Sequence, residues 1–277
     1  RMRLKILRSR GPDASVSTET QARFAQLASQ RSEALRRRLP AAVQRFLAPS
    51  RFLRERFIQW GIDPAVIFYT PTGLDPSSAE SPSEPTAASA EGLTEVLFLG
   101  SLIPIKGAHV LLDAWGQLDP ALRAQATLRL HGPVFQDADY AADLARQARD
   151  VGAQLGPALD REGVRAALAR AHLLVVPSLW FENRPLVLME AMGAGVPVVV
   201  TDLGGMAELV QEGVQGWSFP VGDAGALAGV LSQRLRAGKD FTRVGPTGSP
   251  SFPTWEEATD QILEHYGACL ASVGSQG

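Results

Sequence analysis

The sequence feature that most constrains this chain is an apolar run, a loop and a helix start that follow one another around Glu182. Leu173–Val176 is a branched apolar run ended by a proline, which is typical of a buried strand. Asn183 followed by Pro185 supplies a capping residue and a first-turn residue, so a helix is predicted to begin here. Glu182 therefore lies in a loop ahead of the helix, and Glu190 lies inside it.

Two carboxylates beside this helix start suggest a ligand. An α-helix rises about 1.5 Å per residue, so Glu182 and Glu190 are at most about 12 Å apart along it. Between them lie unpaired N–H groups and the positive end of the helix dipole, which attract phosphate. This arrangement matches a nucleotide diphosphate sugar, with the hexose at one carboxylate and the ribose at the other. As a bare pair eight residues apart, Glu182 is better explained as a solvated loop residue and Glu190 as a surface helix residue.

The residues around both carboxylates closely resemble glycosyltransferase family 4. Asn183-Arg184-Pro185-Leu186 follows the first Glu, and Ala191-Met192-Gly193-Ala194-Gly195-Val196-Pro197-Val198-Val199 follows the second. The resemblance implies a retaining transferase of the two-Rossmann GT-B type that needs no metal or other cofactor. It implies that Glu182 is the catalytic residue beside the donor sugar and that Glu190 binds the nucleotide ribose. Asn183, Arg184, Pro185 and Leu186 become nucleotide-sugar-binding candidates, through backbone N–H groups at the diphosphate.

A second loop of this kind precedes Lys106. Glu95–Gly100 is predicted to be a buried strand, and a helix is predicted to follow the loop. Glycines allow the backbone to approach a ligand closely, and a lysine beside a helix start offers a charge to a diphosphate. A lysine before a glycine indicates little by itself. Beside the Glu182 motif, the loop resembles the family's donor-domain loop, so Gly100, Ser101 and Lys106 are further nucleotide-sugar-binding candidates.

The loop departs from the family pattern at Ser101. Family members commonly carry an Arg at this place, shortly before the Lys, and both grip the diphosphate. The hydroxyl of Ser101 donates a hydrogen bond but carries no charge. Either diphosphate binding is weaker here or another cation, such as Arg184, contributes.

Strands and helices alternate from residue 94 to residue 236. The predicted helices cover residues 108–118, 139–149, 161–170, 185–194 and 223–236, with one from Met206 and a final one over 255–270. Near-continuous apolar strands between them predict an α/β fold with a doubly wound, Rossmann-like parallel sheet. Ligands bind such sheets beyond the carboxyl ends of the strands. Gly204-Gly205, at the entrance of the helix from Met206, resembles the family's glycine pair near the donor sugar and is equally compatible with a plain turn.

The domain organisation is predicted from composition and from the same resemblance. Residues 1–75 resemble the end of an N-terminal, acceptor-side domain and the crossover from it, so most of that domain is expected to be absent from this chain. Residues 76–93 are rich in Ser, Ala, Pro and Glu, which predicts a flexible linker. Residues 94–250 form the donor-binding domain, and residues 251–277 form a helix that returns towards the N-terminal domain.

The charge distribution bears on partners and location. Residues 1–60 contain 14 Lys and Arg against 4 Asp and Glu, although the whole chain has a net charge of −2. This basic segment is suited to an anionic membrane face or to the acidic remainder of the chain, and peripheral membrane contact is one expectation. No aromatic-interleaved motif accompanies the arginines, so nucleic acid is not expected as a partner. A single cysteine, no signal peptide and no membrane-spanning apolar run predict a cytoplasmic location.

The four histidines do not indicate a metal site. They are scattered without ligand spacing, so zinc is not expected. His131 follows a predicted strand without a nearby carboxylate or nucleophile in sequence, which favours a structural role over that of a catalytic base.

The functional hypothesis is a glycosyltransferase. It would transfer a hexose from a UDP- or GDP-sugar to a carbohydrate or glycolipid acceptor, in glycan, polysaccharide or glycolipid synthesis. The alternative is a truncated, non-catalytic module that holds a nucleotide sugar or a partner protein. A nucleotide-sugar epimerase is a third possibility, but it would be expected to lack the full pattern from Glu182 to Glu190.

Overall fold

The computed structural model describes residues 18–76, 93–134, 138–238 and 251–274. The chain divides into two compact units, one formed by Arg1–Pro71 with Asp260–Gly277 and the other by Thr72–Thr259. Basic and apolar residues alternate over Met2–Leu7, which predicts a strand end. That segment and the body of the expected linker lie outside the described residues. The domain limits predicted from the sequence therefore stay a prediction.

The elements of the smaller unit come first in the chain. They are helix α1 (Thr18–Ala42), strand β1 (Phe46–Ala48), helix α2 (Arg51–Trp60) and strand β2 (Ile67–Tyr69). The elements of the larger unit come next as β3 (Thr94–Leu99), α3 (Ala108–Gly116), α4 (Pro120–Arg123), β4 (Ala126–His131), α5 (Ala138–Val151), β5 (Gln154–Gly156), α6 (Arg161–Arg170), β6 (Leu173–Val176), α7 (Leu186–Gly193), β7 (Val198–Thr201), β8 (Gly216–Phe219) and α8 (Ala224–Arg236). The final helix, α9, covers Trp255–Gly274.

The larger unit is built on a six-stranded parallel sheet. Its strand order is β5-β4-β3-β6-β7-β8, and every neighbouring pair is parallel. The order reverses between the two central strands, where Leu97 of β3 is in register with Leu174 of β6. Loops that leave neighbouring strands on either side of such a reversal diverge and open a crevice at the carboxyl edge. The predicted doubly wound parallel sheet is confirmed.

The central strands form because both faces of the sheet are covered. Every residue of β3, β6 and β7 is buried, and β6 and β7 consist almost entirely of Leu and Val. One core cluster joins these strands to Leu188, Ala191 and Met192 of α7. Burying one such aliphatic side chain stabilises the fold by about 1.5–3 kcal/mol. The sheet is therefore a rigid base for the loops at its carboxyl edge.

Helix α7 is fixed at its C-terminal end by a glycine turn. Gly195 adopts φ 71°, and its N–H donates to the carbonyl of Met192 at 3.0 Å. The N–H of Val196 donates to the carbonyl of Ala191 at 2.8 Å. This pair of bonds is the Schellman motif, which only glycine adopts without strain at the left-handed position. The chain then enters β7 directly.

Two details of the predicted elements are wrong. Asn183 does not cap α7, because Pro185 occupies the N-cap position and no side chain caps the helix. The segment from Met206 forms turns instead of a helix, with the N–H of Leu209 donating to the carbonyl of Met206 at 3.1 Å. Met206 is fully buried in the core, and tertiary packing of this kind overrides local helix propensity.

The smaller unit has a core of its own. Strands β1 and β2 are parallel, and the hydroxyl of Ser50 accepts the N–H of Leu53 to cap α2. The core contains Ala48, Ile62 and Ile67, surrounded by partly buried apolar residues. Across the parts of the chain that the structure describes, no helix combines the length and the apolar character needed to cross a bilayer.

Candidate functional site

A cleft of about 430 Å³ opens at the carboxyl edge of the sheet. The loop after β3, the loop after β6 and the first turn of α7 form much of its lining, together with the end of β4. Seven residues predicted from the sequence line this cleft, namely Gly100, Ser101, Lys106, Glu182, Pro185, Leu186 and Glu190. The structure thus brings together residues that lie up to ninety positions apart in the chain.

Lys106 and Glu182 form the charged centre of the cleft. The Lys106 Nζ lies 2.6 Å from Oε1 of Glu182, and both side chains are partly buried. An ammonium group has three N–H donors, so Lys106 retains donors for a further anion while it holds Glu182. The carboxylate is likewise able to accept hydroxyl groups at its other lone pairs. The pair is therefore suited to a ligand with an anionic part and a hydroxylated part.

Ser178 holds the Glu182 carboxylate of this pair in position through a hydrogen bond. Its buried hydroxyl lies 2.9 Å from Oε1 of Glu182 and donates to it, and the Ile105 carbonyl is the alternative acceptor at 3.2 Å. The N–H of Leu179 donates to the same Ile105 carbonyl at 2.8 Å. These contacts tie the loop after β3 to the loop after β6. Sequence reasoning missed Ser178, because a serine after a strand-ending proline carries no distinctive signal.

Glycines allow these two loops to approach each other. Gly107 has φ 73°, and a Cβ at this position would lie 1.9 Å from the carbonyl oxygen of Pro177. No side chain fits in such a space. Gly204, with φ 68°, lies against the backbone of Glu182, and the N–H of Gly205 donates to the Glu182 carbonyl at 2.7 Å. The glycine pair predicted near the site thus supports Glu182 through the backbone, from a turn and not from a helix entrance.

Glu190 has different surroundings. It lies four residues into α7, where its side chain is directed back towards the start of the helix. Burial raises the pKa of the Glu190 carboxyl above its ordinary value, and the guanidinium of Arg161 opposes this rise. Arg161 itself pairs with Asp75 and lies over the ring of Trp255. Glu190 is therefore a half-buried carboxylate for which hydrogen-bond donors from a ligand would be favourable.

Asn183 and Arg184 lie outside the lining of the cleft. Asn183 is exposed, whereas Arg184 is buried with its guanidinium 5.6 Å from the centre of the Phe252 ring. Their roles in ligand binding stay predictions. Because Arg184 does not line the cleft, its location gives no direct support to the idea that it replaces the Arg that family members carry at position 101.

His131 lies at the end of β4 and lines the cleft. Its Nδ1 is 3.2 Å from the carbonyl oxygen of Pro157, and Gly156 leaves the space that its ring occupies. Apolar residues that the sequence did not single out, among them Leu159 and Val164, complete this wall. A wall of this kind, with few polar groups, is typical of small-molecule sites. Among the described residues, no group of three or more acidic, histidine or cysteine side chains is placed to hold a metal ion.

The larger unit matches a known family. Residues 94–236 match the family model described as Glycosyl transferases group 1, which covers more than half of the 277-residue chain. The chain therefore belongs to the group 1 glycosyltransferases, and the resemblance drawn from its sequence is confirmed.

Curated relatives and a solved structure are similar over most of the chain. A phosphatidyl-myo-inositol mannosyltransferase from Mycobacterium leprae is 31% identical over 74% of this chain and 54% of its own length. A D-inositol 3-phosphate glycosyltransferase from Geodermatophilus obscurus is 28% identical over 80% of this chain and 52% of its own length. The crystal structure of Anabaena Alr3699/HepE in complex with UDP and glucose has a TM-score of 0.69 at 26% identity, covering 81% of this chain and 63% of that one. The chain thus spans about half the length of the curated relatives it matches.

Proposed function

We propose that this chain carries the donor-binding half of a retaining glycosyltransferase that transfers a hexose from a UDP- or GDP-sugar. The observation that carries this proposal is the common cleft of Lys106, Glu182 and Glu190 beside the start of α7. The UDP and glucose in the structure of Anabaena HepE support the choice of ligand class. The acceptor is a carbohydrate or glycolipid.

The donor is bound through three kinds of contact. The diphosphate lies at Lys106 and at the first N–H groups of α7, which no side chain caps. The ribose hydroxyls donate to Glu190, whose burial makes the hydrogen bonds valuable. The hexose hydroxyls donate to Glu182, which Lys106 and Ser178 hold in place. The base lies along the wall that contains His131.

Catalysis depends on where charge develops. As the bond between the sugar and the diphosphate breaks, negative charge grows on the leaving phosphate and positive charge grows on the sugar ring. Lys106 and the helix start stabilise the negative charge on the leaving phosphate, and the Glu182 carboxylate stabilises the positive charge on the sugar ring. Preorganised groups of this kind supply the largest catalytic contribution in many enzymes. No metal is required, so transfer is expected to persist in EDTA.

Two further parts of this proposal concern location. We place the protein in the cytoplasm with peripheral contact at the inner membrane face, because α1 exposes Phe24 and Leu27 and carries Arg36-Arg37-Arg38. Co-sedimentation of the chain with anionic but not with neutral vesicles is the expected result. Equal co-sedimentation with both would contradict an electrostatic contact.

Ligand-dependent stabilisation tests the donor site. The chain is heated with UDP, UDP-glucose or GDP-mannose, and a ligand at a hundred times its Kd is expected to stabilise it by about 2.7 kcal/mol. Lys106→Ala and Glu190→Ala should reduce this stabilisation, to about 1.4 kcal/mol for a tenfold weaker Kd at the same ligand concentration. Asp150→Asn removes an exposed carboxylate outside the cleft and should keep it.

The outcomes separate binding from catalysis. Equal stabilisation of the parent and both cleft variants would refute the site. Stabilisation of the parent without any hydrolysis or transfer of the sugar, both by this chain and by a protein that also carries an acceptor-side domain, would leave a nucleotide-sugar-binding module and refute the transferase.

A further inference from the structure

His131 is one of the few polar side chains on its wall of the cleft. It ends β4 and is in register with Leu99 of β3, and both residues line the cleft. Apolar residues of the lining lie two positions after His131 and directly after its contact at Pro157, namely Pro133, Ala158 and Leu159. On walls of this kind, a small number of placed polar groups fixes the orientation and the specificity of a ligand.

One side of the His131 ring is packed against strand β5. His131 is in register with Gly156, and a Cβ at Gly156 would lie 2.3 Å from both Nδ1 and Cε1 of the ring. The same Nδ1 lies 3.2 Å from the carbonyl oxygen of Pro157. Because the Nδ1–Cε1 side of the ring is occupied in this way, the opposite side, with Nε2 and Cδ2, is the part left for the cleft.

The Pro157 carbonyl determines which ring nitrogen of His131 carries the proton. A carbonyl oxygen only accepts, so in the neutral ring Nδ1 carries the proton and donates to it. Nε2 then has a lone pair and acts as an acceptor. Within the part of the chain that the structure describes, the ring makes no further hydrogen bond. His131 therefore offers a ligand one acceptor in a fixed position.

We propose that His131 selects the base of the nucleotide, by accepting the ring N–H of that base at Nε2. This assignment rests on the proposed function, in which the base lies along this wall. Uracil has an N–H at N3 and guanine has one at N1. Cytosine and adenine have a lone pair at the corresponding ring nitrogen, which would face the lone pair of Nε2 and leave both acceptors without a donor. The donor substrate is thus a sugar on a nucleoside diphosphate whose base carries a ring N–H.

The other parts of the nucleotide suit His131 less well. The diphosphate has acceptor oxygens and negative charge but no N–H, so the lone pair of Nε2 would repel it. A ribose hydroxyl is able to donate, but the ribose lies at Glu190 in the proposed function. The flat face of a base also covers the apolar side chains of Ala158 and Leu159, which a diphosphate does not.

Two pairs of nucleotides test this selection. The Kd values of UDP and CDP, and those of GDP and ADP, are measured by calorimetric titration of the full chain. The members of each pair have the same ring system and differ in whether the ring nitrogen carries hydrogen. The parent should prefer UDP over CDP, or GDP over ADP, at least about tenfold. His131→Phe and His131→Ala lack the acceptor, so each should lower this ratio at least about fivefold.

Controls separate base selection from a structural effect. Inorganic pyrophosphate has no base, so both His131 variants should bind it within about twofold of the parent. His109→Phe makes the same change on α3, outside the cleft lining, where the imidazole contacts Tyr140. It should keep the ratio of the parent.

Three results would overturn the assignment. They are a parent without preference in either pair, an unchanged ratio in the two His131 variants, and an equal weakening of both members of a pair. The last result would mean that His131 contacts the ribose or only supports the wall. Failure of the proposed function shows separately, as a parent that binds none of the four nucleotides.

Discussion

At one end of the cleft, Glu182 lies 2.6 Å from the ammonium of Lys106 and accepts the hydroxyl of Ser178. At another position in the lining, which we call the Glu190 end, Glu190 is half-buried, and its carboxyl has a raised pKa because burial disfavours its charge. Both residues carry the same functional group and lie eight positions apart. Glu182 has its hydrogen-bond partners inside the protein, whereas we expect most partners of Glu190 to come from a ligand.

Under the proposed function, this difference suits the two carboxylates beside one helix start to two tasks. A carboxylate that is already held by a cation and a hydroxyl changes its position little when substrate binds, which suits a group that must stabilise a transition state. A desolvated carboxylate gains most from new hydrogen-bond donors, which suits a group that contributes to affinity. We therefore expect changes at the Glu182 end to affect turnover and changes at the Glu190 end to affect nucleotide binding.

The largest effect is expected from Gly107→Ala, which would destroy the Glu182 end. The new Cβ would lie 1.9 Å from the Pro177 carbonyl oxygen, and the residue would be forced to keep φ 73°. Strain and overpacking together are expected to lower the free energy of unfolding by about 3 kcal/mol. Urea denaturation of the two proteins measures the difference.

Gly152→Ala is the matched control for this change. Gly152 has the same φ of 73°, but a Cβ there would meet no atom within 4 Å. In this variant only backbone strain is introduced, so its free energy of unfolding should fall by about 1 kcal/mol. Equal destabilisation of the two variants would show that the close approach of the loops contributes nothing.

Much of this site was predictable because short stretches of sequence identify the buried parallel strands and the loops that follow them. Leu173–Val176 is apolar on both faces, so it had to be a central strand, and the loop after it had to lie at the carboxyl edge. The same reasoning applied to the strand before Lys106. The loops of Glu182 and Lys106 were therefore predicted to meet at this edge, whereas the choice of Lys106 and the roles of all three residues came from the family resemblance.

The features that could not be predicted depend on contacts between distant residues. The Lys106–Glu182 ion pair joins positions 76 residues apart, and the guanidinium of Arg184, which does not line the cleft, lies over the ring of Phe252. The segment after Gly204 forms turns where a helix was predicted, and helix propensity gives no information about the packing that buries Met206 there.

Glu182→Gln should affect turnover and leave nucleotide binding almost intact. The amide keeps the shape of the side chain but removes the charge that supports the sugar ring in the transition state. Transfer from UDP-glucose is expected to fall about 100-fold, as when one preorganised electrostatic group is lost. The Kd for UDP should change less than about threefold. A UDP affinity that falls as far as turnover would contradict the separation of the two ends.

Glu190→Ala should have the opposite effect. Loss of charged hydrogen bonds to the ribose is expected to weaken UDP about tenfold, corresponding to about 1.4 kcal/mol. Inorganic pyrophosphate has no ribose, so its affinity should be the same for parent and variant. Calorimetric titration of both ligands tests this. An equal loss for pyrophosphate and UDP would mean that Glu190 supports the helix start and does not bind the sugar.

The smallest effect is expected from pH, and it distinguishes the two ends without removing a side chain. The Glu190 carboxyl has a raised pKa in the folded chain, so the folded state binds this proton more tightly than the unfolded state does. Its contribution to stability is present below the unfolded pKa and is lost as the pH rises through the folded pKa. Glu190→Gln should therefore match the parent in acid and be slightly more stable near neutral pH without ligand.

Nucleotide should reverse this order. Ribose hydroxyls donate to the ionised carboxylate, so UDP binds the parent better as the pH rises through the raised pKa of Glu190. At neutral pH with saturating UDP, the parent should become the more stable protein. Melting temperatures at several pH values, with and without UDP, measure both effects. If Glu190→Gln keeps the pH dependence of the parent, another group causes that dependence. The proposed difference between the two carboxylates would then be contradicted.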